Sequence, residues 1–140
     1  MSKSVAVKSV SVAALAAFAV VGAGIGPAAA AGAQELLPHP GPDGLVWVEE
    51  RTGDGGVASG GASHRLATVL TVACEGGGQV AVTMSQQTQV AGFTVDCPAG
   101  RTGVGSVTLD AGVVRQGSFT IGVDASTDSV RWALTVTQPE

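Results

Sequence analysis

The 140-residue chain has no tyrosine, and its aromatic side chains are only three phenylalanines and two tryptophans. Carbohydrate modules use exposed rings for stacking, so a broad aromatic platform is excluded. Histidine occurs twice, at His39 in a proline-rich stretch and at His64, too far apart to form the first shell of a zinc site once the cysteines are paired. Lysine is confined to Lys3 and Lys8, so past Ala33 five arginines face eleven carboxylates, for a formal charge of 5 − 11 = −6. An acidic surface without a basic stripe disfavours nucleic acid and anionic membranes as partners. Cysteine also occurs only twice, at Cys74 and Cys97.

The first 33 residues have the three parts of a secretory signal. Lys3 and Lys8 supply a positive start, and Val10 to Ile25 is almost wholly Ala, Val, Leu, Phe and Gly. Small residues then lead to Ala31-Gly32-Ala33, an A-x-A site that places cleavage between Ala33 and Gln34. The alternative is an uncleaved anchor, but the apolar run is short of the roughly 20 residues a spanning helix needs. The chain closes on Gln138-Pro139-Glu140 without an apolar tail, so the expected product is secreted, extracellular and free of the membrane.

Residues 34–44 carry Pro38, Pro40 and Pro42 and read as an extended lead-in. Residues 45–140 read as one domain. Leu45 to Glu50 makes a first strand, and the glycine-rich stretch 51–63 is expected to be a flexible loop. Without a following helix or a lysine that loop does not fit a phosphate cradle. Beyond it, period-2 alternation recurs: Leu70/Val72/Cys74, Val80/Val82/Met84, Phe93/Val95/Cys97, Val107/Leu109, Phe119/Ile121/Val123 and Trp132/Leu134/Val136. Turn signals between these runs give about seven strands, an all-β antiparallel sandwich of immunoglobulin-like or jelly-roll-like type. Both tryptophans, Trp47 and Trp132, sit on apolar faces and are expected in the core.

Two cysteines in an exported chain most simply pair, in preference to free thiols or a dimer bridge. Strands ending at Cys74 and Cys97 run the same way with one strand between them. In a flat meander they would lie about 9.5 Å apart, whereas a disulfide needs Cα atoms within roughly 7 Å. Either the two strands face each other from opposite sheets or they are direct neighbours; the inward position of both cysteines favours the cross-sheet bridge, and with it a sandwich over one open sheet.

Sites of chemistry are sparse. Ser63-His64 adjacency does not orient an imidazole on a hydroxyl, and no acid is spaced to complete a triad. Asp124-Ala125-Ser126-Thr127-Asp128 places oxygens at alternate positions, a fragment of a calcium loop that lacks the required glycine and distal glutamate. Asp96, Asp110, Asp124 and Asp128 are also the available carboxylates for glycoside hydrolysis, though so small a domain leaves little material for a cleft. Trp47, Asp124 and Asp128 are the ligand-contact candidates, and no cofactor or metal is expected. The expected function is non-enzymatic surface contact with an extracellular protein or glycan. The alternative is a carbohydrate- or small-ligand-binding module, with a small secreted hydrolase third.

The signal ending in Ala31-Gly32-Ala33, the pair of cysteines in TVAC and TVDCP, and the final VRWALTVTQPE resemble the small exported β-proteins of high-GC Gram-positive bacteria. That group shares no assigned activity. Neocarzinostatin-like chromophore carriers and the small secreted protease and amylase inhibitors carry more cysteines, so no residue role transfers from them.

Overall fold

A computed structural model describes residues 35–140, and the signal and its cleavage residues Ala31, Ala33 and Gln34 lie outside the described residues. Eight strands follow in order: β1 (Gly44–Thr52), β2 (Gly55–Ala62), β3 (Thr68–Glu75), β4 (Gly78–Ser85), β5 (Gln89–Cys97), β6 (Gly103–Leu109), β7 (Gly117–Ala125) and β8 (Arg131–Thr137). They form two four-stranded antiparallel sheets, ordered β1-β8-β3-β6 and β2-β7-β4-β5. Only the β4–β5 hairpin stays within one sheet; every other connection crosses between sheets. That order is the eight-stranded jelly roll, and it decides between the two sandwich types the sequence left open.

Alternation explains the core. β3 contributes Leu70, Val72 and Cys74, and β4 contributes Val80, Val82 and Met84, all buried. From the facing strands come Phe119, Ile121 and Val123 of β7 and Trp132, Leu134 and Val136 of β8. The register sets Trp132 beside Cys74 on neighbouring strands. Cys74 and Cys97 bridge the two sheets with Cα atoms 5.0 Å apart, as the strand-spacing argument requires.

Residues 51–63 are not the flexible loop their composition implies. The chain turns at Gly53-Asp54, and Gly55–Ala62 becomes strand β2, paired along β7 from Gly55↔Val123 to Ala62↔Gly117. Glycine is used here for closeness. A Cβ on Gly55 would lie 2.9 Å from Trp132 Cζ2, and one on Gly56 would lie 2.8 Å from the Ile121 carbonyl oxygen. The strand is held by backbone bonds that need no apolar side chain, which is why alternation does not reveal it.

The lead-in also departs from expectation. Leu36 is buried against Ala73 and Ala133 on the outer face of the β1-β8-β3-β6 sheet, with Leu37 packed beside it. Two alanines in central strands leave a shallow trough that Leu36 fills, so both faces of this sheet are covered at that point.

Gln138, read as part of a plain tail, is 4% exposed and joins two segments. Its Oε1 accepts from the Ser63 amide at 2.8 Å. Its Nε2 donates to the Ser63 carbonyl at 2.9 Å and to Thr68 Oγ1 at 2.9 Å. Removing a buried group that serves three partners strands those partners, each at about 1–3 kcal/mol before relaxation. Gln138→Ala is expected to lower unfolding stability by about 2–4 kcal/mol in urea titration. A loss within experimental error would mean that water takes over the amide's role.

Candidate functional site

The ligand-contact candidates do not converge. Trp47 faces outward: Val46 and Val48 are the buried residues of β1, and Trp47 is half-buried on the opposite face. This corrects the expectation that it lies in the core. Nor is its ring a free platform. The indole Nε1 donates to the Leu37 carbonyl at 3.3 Å, and His39 meets the ring edge-to-face with centroids 4.8 Å apart. The lead-in thus straps the one outward tryptophan.

Asp124 is exposed on β7, while Asp128 lies in the β7–β8 connection among hydroxyls already committed to the fold. Ser126 Oγ accepts from the Gln79 amide at 2.9 Å, and Ser129 Oγ donates to the Gly76 carbonyl at 3.1 Å. Asp54 Oδ1 accepts from the Ala125 amide at 2.8 Å, closing the same end of the sandwich. Among the described residues no group of three His, Cys, Asp or Glu side chains is placed to hold a metal ion. The oxygens of this loop shape the connection.

His64 finds neither an acid nor a serine. Its Nδ1 lies 3.1 Å from Gln116 Oε1, a pairing in which the imidazole donates, because an amide oxygen can only accept. Ser63 Oγ instead accepts from the Arg65 amide at 3.2 Å. Among the described residues no triad forms around this histidine.

A charged cluster occupies the outer face of the β1-β8-β3-β6 sheet. Arg131 bridges Glu50, at 2.8 Å, and Glu75. Burial pulls the guanidinium pKa down, but the hydrogen bond to Glu75 and the charges of Glu50 and Glu75 outweigh it and hold it above its ordinary value. The cluster ties β1, β8 and β3 together through one guanidinium shared by two carboxylates.

The structure does bring polar groups together at a place the sequence did not single out. An open cleft of about 990 Å³ lies where the β4–β5 hairpin meets the β6–β7 connection. Ser85, Gln86, Gln87 and Thr88 line it from the hairpin, and Val113, Arg115 and Gln116 from the connection. Ser118 and Thr120 of β7 complete its polar wall, and Ala58 and Val90 add apolar surface to that of Val113. The walls are fixed to each other by one side chain. Gln86 Oε1 accepts from the Arg115 amide at 2.8 Å, while Gln86 Nε2 donates to the carbonyls of Arg115 and Ser118 at 2.9 and 3.0 Å. Buried Val114, 1% exposed, pins the connection to the core between them.

Gln87, at the hairpin tip, has φ of 37°, the only positive value outside glycine among the described residues. The tight hairpin turn, closed by the Gln86 amide on the Thr88 carbonyl at 2.9 Å, imposes this conformation. The lining contains no carboxylate although the chain carries eleven. Its one formal charge is Arg115, whose main chain is clamped and whose side chain is in no ion pair among the described residues. The legible trace was the Gln86-Gln87-Thr88-Gln89 run, which reads simply as a polar connection. What it faces comes from a segment some 30 residues later, and no periodicity links the two.

The fold and this cleft define the chain as a jelly-roll sandwich with a polar cleft at one end. No protein-family model matches the chain, and no curated protein matches it. A solved structure described as "CBM4 structure and function" is similar with a TM-score of 0.47 at 12% identity, over 61% of this chain. The chain spans 59% of that structure's length. The cryo-EM structure of the giant freshwater prawn Macrobrachium rosenbergii extra small virus particle gives a TM-score of 0.23 at 12% identity. That match covers 74% of this chain and 88% of the viral one. At these TM-scores neither likeness assigns a ligand or an activity.

Proposed function

We propose that this is a secreted, non-catalytic module that acts by surface contact with an extracellular partner, and that the end cleft is its binding site. The observation that carries the reading is the cleft's wall of amides and hydroxyls, free of carboxylates in an acidic protein and held rigid by the Gln86 clamp. Preorganised polar groups set beside apolar surface are what fix a ligand's orientation in a binding site. A polyhydroxylated ligand suits these donors and acceptors, so a glycan is the partner class this site favours. Export is supported by the N-terminal pattern and by the cross-sheet disulfide, a bond typical of oxidising compartments. Among the described residues His64 pairs with Gln116 and Ser63 Oγ with the Arg65 amide, an arrangement that accords with a binding role. The resemblance to small exported bacterial β-proteins accords with this and adds no activity of its own.

The test is retention of the protein spanning residues 34–140 on a panel of insoluble cell-wall and plant polysaccharides, beside a Thr120→Trp variant. Thr120 is exposed on β7, so an indole there fills the cleft without entering the core. At least one polysaccharide is expected to retain the native protein and to release the variant. Retention that survives Thr120→Trp, or none on any polysaccharide, contradicts the reading.

A further inference from the structure

We infer that the cleft selects a saccharide bearing a carboxylate, with Arg115 as the residue that reads the charge. The inference rests on the cleft being a glycan site and goes on to name the ligand's chemistry. Arg115 is the only charged residue in the lining, it is exposed, and it makes no ion pair among the described residues. The contrast with Arg131 is direct, since that guanidinium is neutralised by Glu50 and Glu75.

Arg115 is also positioned. Both its main-chain polar groups are bonded to the Gln86 carboxamide, so its Cα is fixed relative to the hairpin across the cleft. A guanidinium offers a planar fork that matches a carboxylate in two parallel hydrogen bonds. Around it, Gln87 and Thr88 on one wall and Ser118 and Thr120 on the other present groups suited to sugar hydroxyls. Gln116 stands beside Arg115 with His64 against its amide oxygen, which leaves the Gln116 amide nitrogen to donate to the ligand. An acid-free lining within a chain of net charge −6 past Ala33 is what discrimination of a single carboxylate requires. A carboxylate placed there would otherwise meet like charge.

A peptide C-terminus also offers a carboxylate, but the cleft walls present side-chain amides and hydroxyls on either side of Arg115. The saccharide is therefore the assignment, and the peptide serves as a control.

The experiment is isothermal titration of the 34–140 protein with three probes: galacturonic acid oligomers, galactose oligomers and a short neutral peptide with a free C-terminus. Each is repeated with Arg115→Gln, whose main-chain bonds to Gln86 are retained. The galacturonate oligomer is expected to bind at least about tenfold more tightly than the galactose oligomer, and Arg115→Gln to erase that difference, as loss of a charge-assisted hydrogen bond predicts. Equal binding of both oligomers, unchanged by Arg115→Gln, overturns the charge inference and leaves the glycan site standing. Tight binding of the peptide alone overturns both, as does the absence of binding by every probe in a protein that no polysaccharide retains.

Discussion

Replacing Trp132 with alanine is expected to lower the stability of the domain by about 3–5 kcal/mol, the range for removing a buried large aromatic. Trp132 is fully buried, sits beside the disulfide in register, and touches the turn that starts β2. Its indole Nε1 donates to the Gly53 carbonyl at 2.8 Å, so the substitution also strands an acceptor at a sheet-to-sheet crossing. Since small domains have only about 5–15 kcal/mol in total, the variant should be partly unfolded at moderate temperature. Far-UV circular dichroism through a urea titration reads this without relying on the deleted fluorophore. Trp132→Phe separates the two contributions, keeping most of the volume while losing the hydrogen bond, and should cost about 1–3 kcal/mol. A loss below about 1 kcal/mol for the alanine variant would show that the core does not depend on this ring.

The second large effect is loss of the disulfide. Cys74 and Cys97 are 23 residues apart in sequence, and closing a loop of that size in the unfolded chain is worth about 3 kcal/mol in the chain-entropy model. Cys74→Ala/Cys97→Ala should therefore melt about 10–20 °C lower than the native protein in differential scanning calorimetry. Both sulfurs are fully buried, so the variant also loses packing where the two sheets are tied. A shift under about 3 °C would mean that edge contacts between β5 and β6 already fix this end of the sandwich.

The parts of this fold that could be read from the chain are those in which side chains carry the information. Phe119, Ile121 and Val123 had to share a face, as did Val80, Val82 and Met84, because only one face of each sheet meets the core. The two cysteines went further, since the reach of a disulfide ruled out a flat meander and their inward-facing positions favoured opposite sheets. β2 was hidden because Gly55–Ala62 forms a strand through its backbone and through what its side chains leave room for, namely Trp132 and the Ile121 carbonyl. Trp47 was expected on the wrong face for a different reason. Both faces of β1 are apolar there, and the choice between them depends on the lead-in strap, whose docking through Leu36 needs two alanines from distant strands.

The site was less legible than the fold. Asp124 and Asp128 stand out because, with Ser126, they put side-chain oxygens at alternate positions, a local pattern, and the structure uses that loop to close one end of the sandwich. The cleft is non-local. Gln86 and Arg115 are 29 residues apart, and glutamines in a turn look the same whether they face solvent or clamp a neighbour. Neither tryptophan lines the cleft, so a ligand held there is better followed through the backbone amides than through fluorescence.

The most direct test of the account is a map of backbone amide shifts by nuclear magnetic resonance, with the soluble galacturonate oligomer added to the 34–140 protein. A binding module that uses the end cleft should show perturbations concentrated at Ser85–Gln89 and Val113–Thr120, with the strap and Trp47 unmoved. Perturbations centred on Trp47, His39 and Leu37 instead would contradict it and transfer the site to the opposite sheet.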